Sequence, residues 1–196
     1  KNLEGKFQKV YSTSEKVQGS FTFKNLKELN YAVYKLPMNE VLQHAQSYDR
    51  ESIEQLVTKG KRVLIATQKV TKDGFKTTKV DLSLGKLPLG IYLLEVTGRA
   101  DNESTTPKYT LFQVSDMLLS QLSDNGTDFY VNHRKDGKPI KDVTISYYSK
   151  SYRGENPVIS KNESRTDKEG KSTVGNRGSF AVVAVSKKDT LITIDD

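Results

Sequence analysis

Short runs of alternating polar and apolar residues, broken by Gly, Pro, Asn or Asp, fill most of this chain. Alternation at period two puts one side chain in a core and the next in solvent, which is the pattern of a half-buried β-strand. Gln18–Phe23 sets Phe21 and Phe23 on one face. In the next run Leu29, Tyr31, Val33 and Lys35 share one face, and Asn30, Ala32, Tyr34 and Leu36 share the other. Arg62–Val70 and Lys76–Leu84 are rich in β-branched residues, and Ile91–Val96 reads as a buried strand reached through the turn Leu87-Pro88-Leu89-Gly90. The second half continues with Met117–Leu122, Phe129–Asn132, Val143–Tyr148, Ser179–Val185 and Thr190–Ile194. Tight turns separate these runs at Lys135–Pro139 and Thr166–Lys171, where Gly137 and Gly170 supply positive φ. About seven short strands over roughly 80 residues specify a β-sandwich.

One segment departs from this period. Met38–Lys59 has helical spacing, with Val41, Leu42 and Ala45 in one stripe and Ile53, Leu56 and Val57 in a second. A turn near Ser47-Tyr48-Asp49 divides the two stripes. Asp49 is placed to cap the second helix, and Gly60 stands where a left-handed residue ends it. The polar stretch Asp101–Pro107 reads as a hairpin loop, because Tyr109–Val114 resumes a strand able to pair with Ile91–Val96. The division then falls near Ser115-Asp116. The expected architecture is all-β: two tandem immunoglobulin-like sandwiches, residues 1–114 with a short helical insertion near 38–59, and residues 115–196.

Composition removes several function classes. The 196 residues contain no Cys, which excludes disulfide frameworks, thiolate zinc sites and cysteine nucleophiles. No run approaches the ~18 apolar residues of a membrane span. The net charge is +7, and roughly +5 of it lies before residue 106 and +2 after. Lys and Arg alternate with Asp and Glu, as in Lys135-Asp136-Gly137-Lys138, so there is no basic stripe interleaved with stacking aromatics. No nucleic-acid partner is expected. The chain begins at Lys1 with no apolar leader, and reads as a processed or excised piece whose targeting signal lay upstream. Sequons occur at Asn102, Asn125 and Asn162, at the frequency that polar loops produce by chance.

The residues that could carry chemistry do not assemble into a site. His44 lies in the helical segment and His133 after a strand, and neither has a companion at ligand spacing. His133, Asp136 and a serine could be written as a triad, but no nucleophile elbow supports it. Asp189, Asp195 and Asp196 lack the dense oxygen spacing of a calcium loop. No helix follows Gly137 or Gly170, so neither belongs to a phosphate loop. Tyr130, Tyr147, Tyr148 and Tyr152 could form an aromatic patch, although alternation turns Tyr147 or Tyr148 into the core. No catalytic, cofactor-binding or metal-binding residue is expected, and no cofactor.

Four motifs, in order, carry a resemblance. Phe112-Gln113-Val114-Ser115-Asp116 forms a Phe-x-Val-Ser-Asp junction. Gly137-Lys138-Pro139-Ile140-Lys141-Asp142-Val143 and Thr166-Asp167-Lys168-Glu169-Gly170 follow as turns. Val183-Ala184-Val185-Ser186-Lys187-Lys188-Asp189 then leads into a polar turn, with Ser186 and Lys187 where glycine is usual. The first half adds Lys24-Asn25-Leu26, Tyr31-Ala32-Val33-Tyr34 and Leu87-Pro88-Leu89-Gly90-Ile91-Tyr92. In this order the motifs resemble two tandem macroglobulin domains of bacterial, Bacteroidetes-type alpha-2-macroglobulins. The resemblance implies a non-catalytic scaffold segment of a protease-trapping protein. Its partners would be the flanking domains of the parent chain, with target proteases engaged only by the full-length molecule. Its place would be the periplasm or cell surface, with any lipid anchor attached upstream. The thioester of that family needs a Cys-Gly-Glu-Gln motif, which this chain lacks. The alternative is a cell-surface adhesion or glycan-binding sandwich that uses the tyrosines.

Overall fold

The computed structural model describes all residues except 1–2, 48–49, 71–75, 102, 123–127, 154–155, 174–178 and 195–196. The chain forms two compact units, residues 1–44 with 49–114, and residues 115–196 with 45–48.

The first unit contains β1 (Leu3–Phe7), β2 (Val10–Tyr11), β3 (Val17–Phe23), β4 (Glu28–Leu36), α1 (Met38–Ser47), α2 (Arg50–Lys59), β5 (Lys61–Lys69), β6 (Thr78–Gly85), β7 (Gly90–Ala100), β8 (Glu103–Ser104) and β9 (Lys108–Val114). A three-stranded sheet, β1-β3-β6, faces a larger one, β2-β9-β7-β4-β5, to which β8 adds at β7. Between them lies an apolar core that includes Leu3, Phe21, Phe23, Val33, Leu94 and Phe112. β4 and β7 are antiparallel, so residues directly opposite share a face: Val33 with Leu94, and Leu36 with Ile91. The first pair lines the core. The second pair is buried on the other face, which explains why Ile91–Val96 is apolar at nearly every position.

The helices follow Pro37, which has no N–H for the ladder and stops β4. Val41, Leu42, Ala45 and Leu56 are buried, as their spacing requires. Asp49, the expected cap, lies outside the described residues. Gly60 does not adopt the left-handed conformation expected of it. Its N–H continues the helix by donating to the Leu56 carbonyl at 2.9 Å. A Cβ at this position would sit 2.8 Å from Tyr34 Cβ and 2.9 Å from Leu36 Cδ2. Glycine is there because the end of α2 presses onto β4, not because the chain turns.

In the region read as a loop, β8 pairs antiparallel with the end of β7, Ser104 with Arg99 and Glu103 with Ala100. Asp101 takes a positive φ of 46°, and Thr105 N–H donates to the Gly98 carbonyl at 2.8 Å. β9 then returns against β7, with Tyr92 opposite Phe112, the pairing the apolar runs required.

The second unit contains β10 (Met117–Gln121), β11 (Asp128–His133), β12 (Thr144–Arg153), β13 (Asn156–Arg165), β14 (Lys171–Thr173), β15 (Ser179–Val185) and β16 (Thr190–Ile194). Its sheets are β10-β11-β14 and β13-β12-β15-β16. Phe129 of one meets Tyr147 of the other edge-on, with ring centroids 6.2 Å apart. Residues 149–153 and 156–160 form the distal part of the β12–β13 ladder. Ser149, Lys150 and Ser151 pair in register with Ser160, Ile159 and Val158. Ser151, Val158, Ile159 and Ser160 are all exposed, so no buried face among the described residues of this part imposes an apolar alternation.

Candidate functional site

A buried polar constellation lies where the second unit begins. Ser115 is completely buried and Asp189 nearly so. The Ser115 hydroxyl donates to Asp189 Oδ2 at 3.0 Å, and the Asp116 N–H donates to the same oxygen at 2.8 Å. Met117 N–H donates in turn to Ser115 Oγ at 3.1 Å. Asp189 is held by its own turn, in which Ser186 N–H donates to the Asp189 carbonyl at 2.9 Å. The motif Ser115-Asp116 and the polar turn ending at Asp189 are therefore one structural unit, although they are far apart in sequence.

This carboxylate is not at ease. Burial pushes its pKa above the ordinary value near 3.8, and the neighbouring Asp116 charge pushes the same way. The Ser115 hydroxyl and the N–H groups of Asp116 and Thr190 oppose that shift without cancelling it. Oδ1 is buried and takes no hydrogen bond of good geometry. A raised folded-state pKa means that the folded state binds the proton better than the unfolded one. The associated stability is complete below the unfolded value and is lost as pH rises through the folded one. Asp189→Asn, which cannot ionise, is expected to gain stability relative to the native protein as pH rises above about 4. Denaturant titrations of both proteins across that range will show whether the difference grows with pH.

The two turn motifs also meet. Thr166, almost fully buried, donates its hydroxyl to the Ile140 carbonyl at 2.8 Å and accepts the Val143 N–H at 2.9 Å. Asp167 Oδ1 accepts the N–H groups of Glu169 at 2.9 Å and Lys171 at 3.0 Å, and so shapes the turn. Gly137 and Gly170 take φ of 70° and 72°, the left-handed values expected of them. The Gly170 Cα faces the Val131 carbonyl, Pro139 and Ile140, so the Thr-Asp-x-x-Gly turn packs directly on the Gly-Lys-Pro turn. Each motif by itself reads as an ordinary turn. Together they close one corner of the sandwich.

The other candidate residues do not converge. His133 is exposed and precedes the Gly137 turn, accepting the Gly137 N–H on its carbonyl at 2.8 Å. Asp136 is committed to Lys138, whose N–H and ammonium hold its carboxyl below the usual range. His44 Nδ1 is hydrogen bonded to Ser52 Oγ and ties α1 to α2. Asp195 and Asp196 lie outside the described residues. Among the described residues no cluster of three or more His, Asp or Glu side chains could hold a metal ion.

The aromatic patch does not form as a single surface. Tyr147 is in the core. Tyr130 and Tyr148 stand on the outward faces of different sheets, because their neighbours Phe129 and Tyr147 point inward from each. Each ring carries a lysine above it at 5.8 Å, Lys171 over Tyr130 and Lys161 over Tyr148. The Tyr152 side chain lies outside the described part.

No protein-family model matches this sequence, and no curated protein does. Solved structures do match. A crystal structure of native Escherichia coli alpha-2-macroglobulin spanning its NIE and MG1 domains superposes with a TM-score of 0.69 at 13% identity, covering 98% of this chain and 96% of that one. The longer Escherichia coli segment spanning MG0, NIE and MG1 gives a TM-score of 0.73 at 14% identity, and this chain spans 64% of its length. Salmonella alpha-2-macroglobulin gives 0.64 at 11% identity, with 98% of this chain matching 12% of that protein. No helix among the described residues is long and apolar enough to cross a membrane. The chain has the macroglobulin-type β-sandwich fold found in these bacterial alpha-2-macroglobulin structures.

Proposed function

We propose that this chain is a non-catalytic scaffold segment of a bacterial alpha-2-macroglobulin-like, protease-trapping protein. The observation that carries this reading is the two-way coverage of the NIE–MG1 structure: nearly all of this chain lies along nearly all of that segment. Two sandwiches with no candidate metal cluster or catalytic set among the described residues fit a positioning role rather than a chemical one. The depression lined by Lys6, Gln18, Ser20 and Asp81 holds one ammonium and one carboxylate and no histidine, which is not the equipment of an acid–base or nucleophilic site.

On this reading the two units are tandem macroglobulin-type domains of a longer parent chain. Their immediate partners are its flanking domains, and proteases are engaged by the whole molecule. The parent belongs in the periplasm or on the cell surface. A thioester, where the parent has one, lies in another domain, because this chain has no Cys. Intact-mass measurement of the protein isolated from its native cells tests the reading. The expected mass is several times the 22.0 kDa of this chain, with further sandwich domains on the same polypeptide. A native polypeptide of this size alone would overturn the assignment.

A further inference from the structure

β5 is an edge strand of the larger sheet in the first unit, and among the described residues it pairs with β4 alone. Which of its backbone groups face outward follows from the register. Val70 N–H donates to the Lys27 carbonyl at 2.9 Å. Hydrogen-bonded pairs alternate along an antiparallel ladder, so Leu29/Gln68, Tyr31/Ala66 and Val33/Leu64 are the bonded pairs. Ile65, Thr67 and Lys69 therefore turn their N–H and C=O groups away from β4.

The side chains on this edge are unusual for a protected one. Ile65 is 68% exposed and Val63 is 44% exposed. No proline interrupts the strand. The flanks are basic without exception: Lys59, Lys61, Arg62 and Lys69 fall within Lys59–Val70, which contains no Asp or Glu. A second copy of this chain is a poor occupant. Pairing β5 with itself antiparallel about Ile65 sets Lys61 opposite Lys69 at both ends, and like charges directly opposite are destabilising. The same lysines favour an acidic strand.

We propose that the outer edge of β5 receives an extended, acidic peptide segment of another protein or domain by β-strand addition. Main-chain hydrogen bonds run to Ile65, Thr67 and Lys69, an apolar residue covers Ile65, and carboxylates meet Arg62 and Lys69. Backbone pairing supplies the affinity, and the apolar centre with basic flanks supplies the selectivity.

The test uses the whole 196-residue chain and a capped nine-residue peptide, Asp-Glu-Val-Thr-Val-Thr-Val-Glu-Asp. Amide exchange is followed by NMR, and affinity by fluorescence anisotropy of the labelled peptide. The expected result is slowed exchange at Ile65, Thr67 and Lys69, with binding that weakens as salt is raised. Thr67→Pro removes an outward N–H while sparing every backbone bond to β4; it also loses the bond that the Thr67 hydroxyl donates to Asn30 Oδ1, and should weaken binding at least about tenfold while the protein stays folded. Ile65→Thr, which removes the apolar contact and leaves the backbone and the charge intact, should weaken it as well and serves if the proline variant does not fold. Three results would overturn the proposal. The first is no protection of these amides at millimolar peptide. The second is equal binding of the same peptide with Lys at each acidic position. The third is a concentration-dependent dimer of this chain that either variant abolishes.

Discussion

Phe112→Ala is expected to destabilise the first unit by about 3–5 kcal/mol, the range for removing a fully buried aromatic ring. Phe112 sits at the centre of an aromatic stack. It lies nearly parallel to Tyr92 at 5.4 Å between centroids, and Tyr11 meets it edge-on at 6.0 Å. Neither neighbour can collapse into the space left behind. The Tyr92 hydroxyl donates to the Pro88 carbonyl at 2.7 Å, and the Tyr11 hydroxyl donates to the Gln18 carbonyl at 2.6 Å. Moving either ring inward breaks a hydrogen bond at its far end, so the cavity stays open and its full cost remains. Phe112→Leu, which fills most of the volume, should cost clearly less. Urea unfolding followed by far-ultraviolet circular dichroism will rank the two. Equal costs for both would mean that packing at this position does not depend on the ring.

The second large effect separates backbone strain from steric contact. Gly137 and Gly170 have nearly the same positive φ, but a Cβ at Gly137 meets nothing within 4 Å. A Cβ at Gly170 would lie 2.5 Å from the Val131 carbonyl oxygen and 3.0 Å from Pro139 Cβ. That carbonyl is already committed, accepting the Ile140 N–H at 2.9 Å, and Val131 N–H donates to the Gly170 carbonyl at 2.8 Å. Gly137→Ala is expected to cost about 1–2 kcal/mol, the left-handed penalty alone. Gly170→Ala carries that penalty and must also part the two turns, for a total above about 3 kcal/mol. Equal costs for the two variants, measured by the same unfolding experiment, would show that the turns do not press on each other as described.

The parts of the fold that were legible in the sequence are those where burial imposes a period. β3, β4, β7, β9 and β15 each have at least one buried face, and their apolar residues fall where the alternation puts them. The helical stripes were readable for the same reason. β13 was not, because the outer half of its ribbon is exposed and is held by main-chain pairing, to which side-chain chemistry is nearly indifferent. β1 escaped likewise: only Leu3 of its five residues is buried. Gly60 departs from the expected turn because its position beside a helix end suggests one, whereas its role is set by Tyr34 and Leu36 on another element. The Ser115–Asp189 constellation was half visible. Both residues stood in recognisable motifs, but the bond between them spans 74 positions, and no local pattern encodes it.

The same contrast bears on function. A catalytic site gathers groups of matched chemistry at one place, whereas here the titratable residues are spent locally. Asp136 is bound by Lys138, Asp128 by Thr173 and Lys171, and Glu163 by Lys161 and Ser146. Each of these carboxylates is held below its usual range by its own neighbours, as exposed structural pairs are. Burial pushes Asp189 the other way, and it is enclosed, with the Ser115 hydroxyl and the Asp116 N–H both donating to its Oδ2.

The proposal that this chain positions and does not itself react or inhibit can be measured directly. The purified chain is mixed in molar excess with trypsin-like, chymotrypsin-like and elastase-like proteases, and cleavage of a small peptide substrate is followed. Unchanged initial rates are expected with every protease, because on the proposed function proteases are engaged only by the full-length molecule. Stoichiometric loss of activity with any one of them would contradict it.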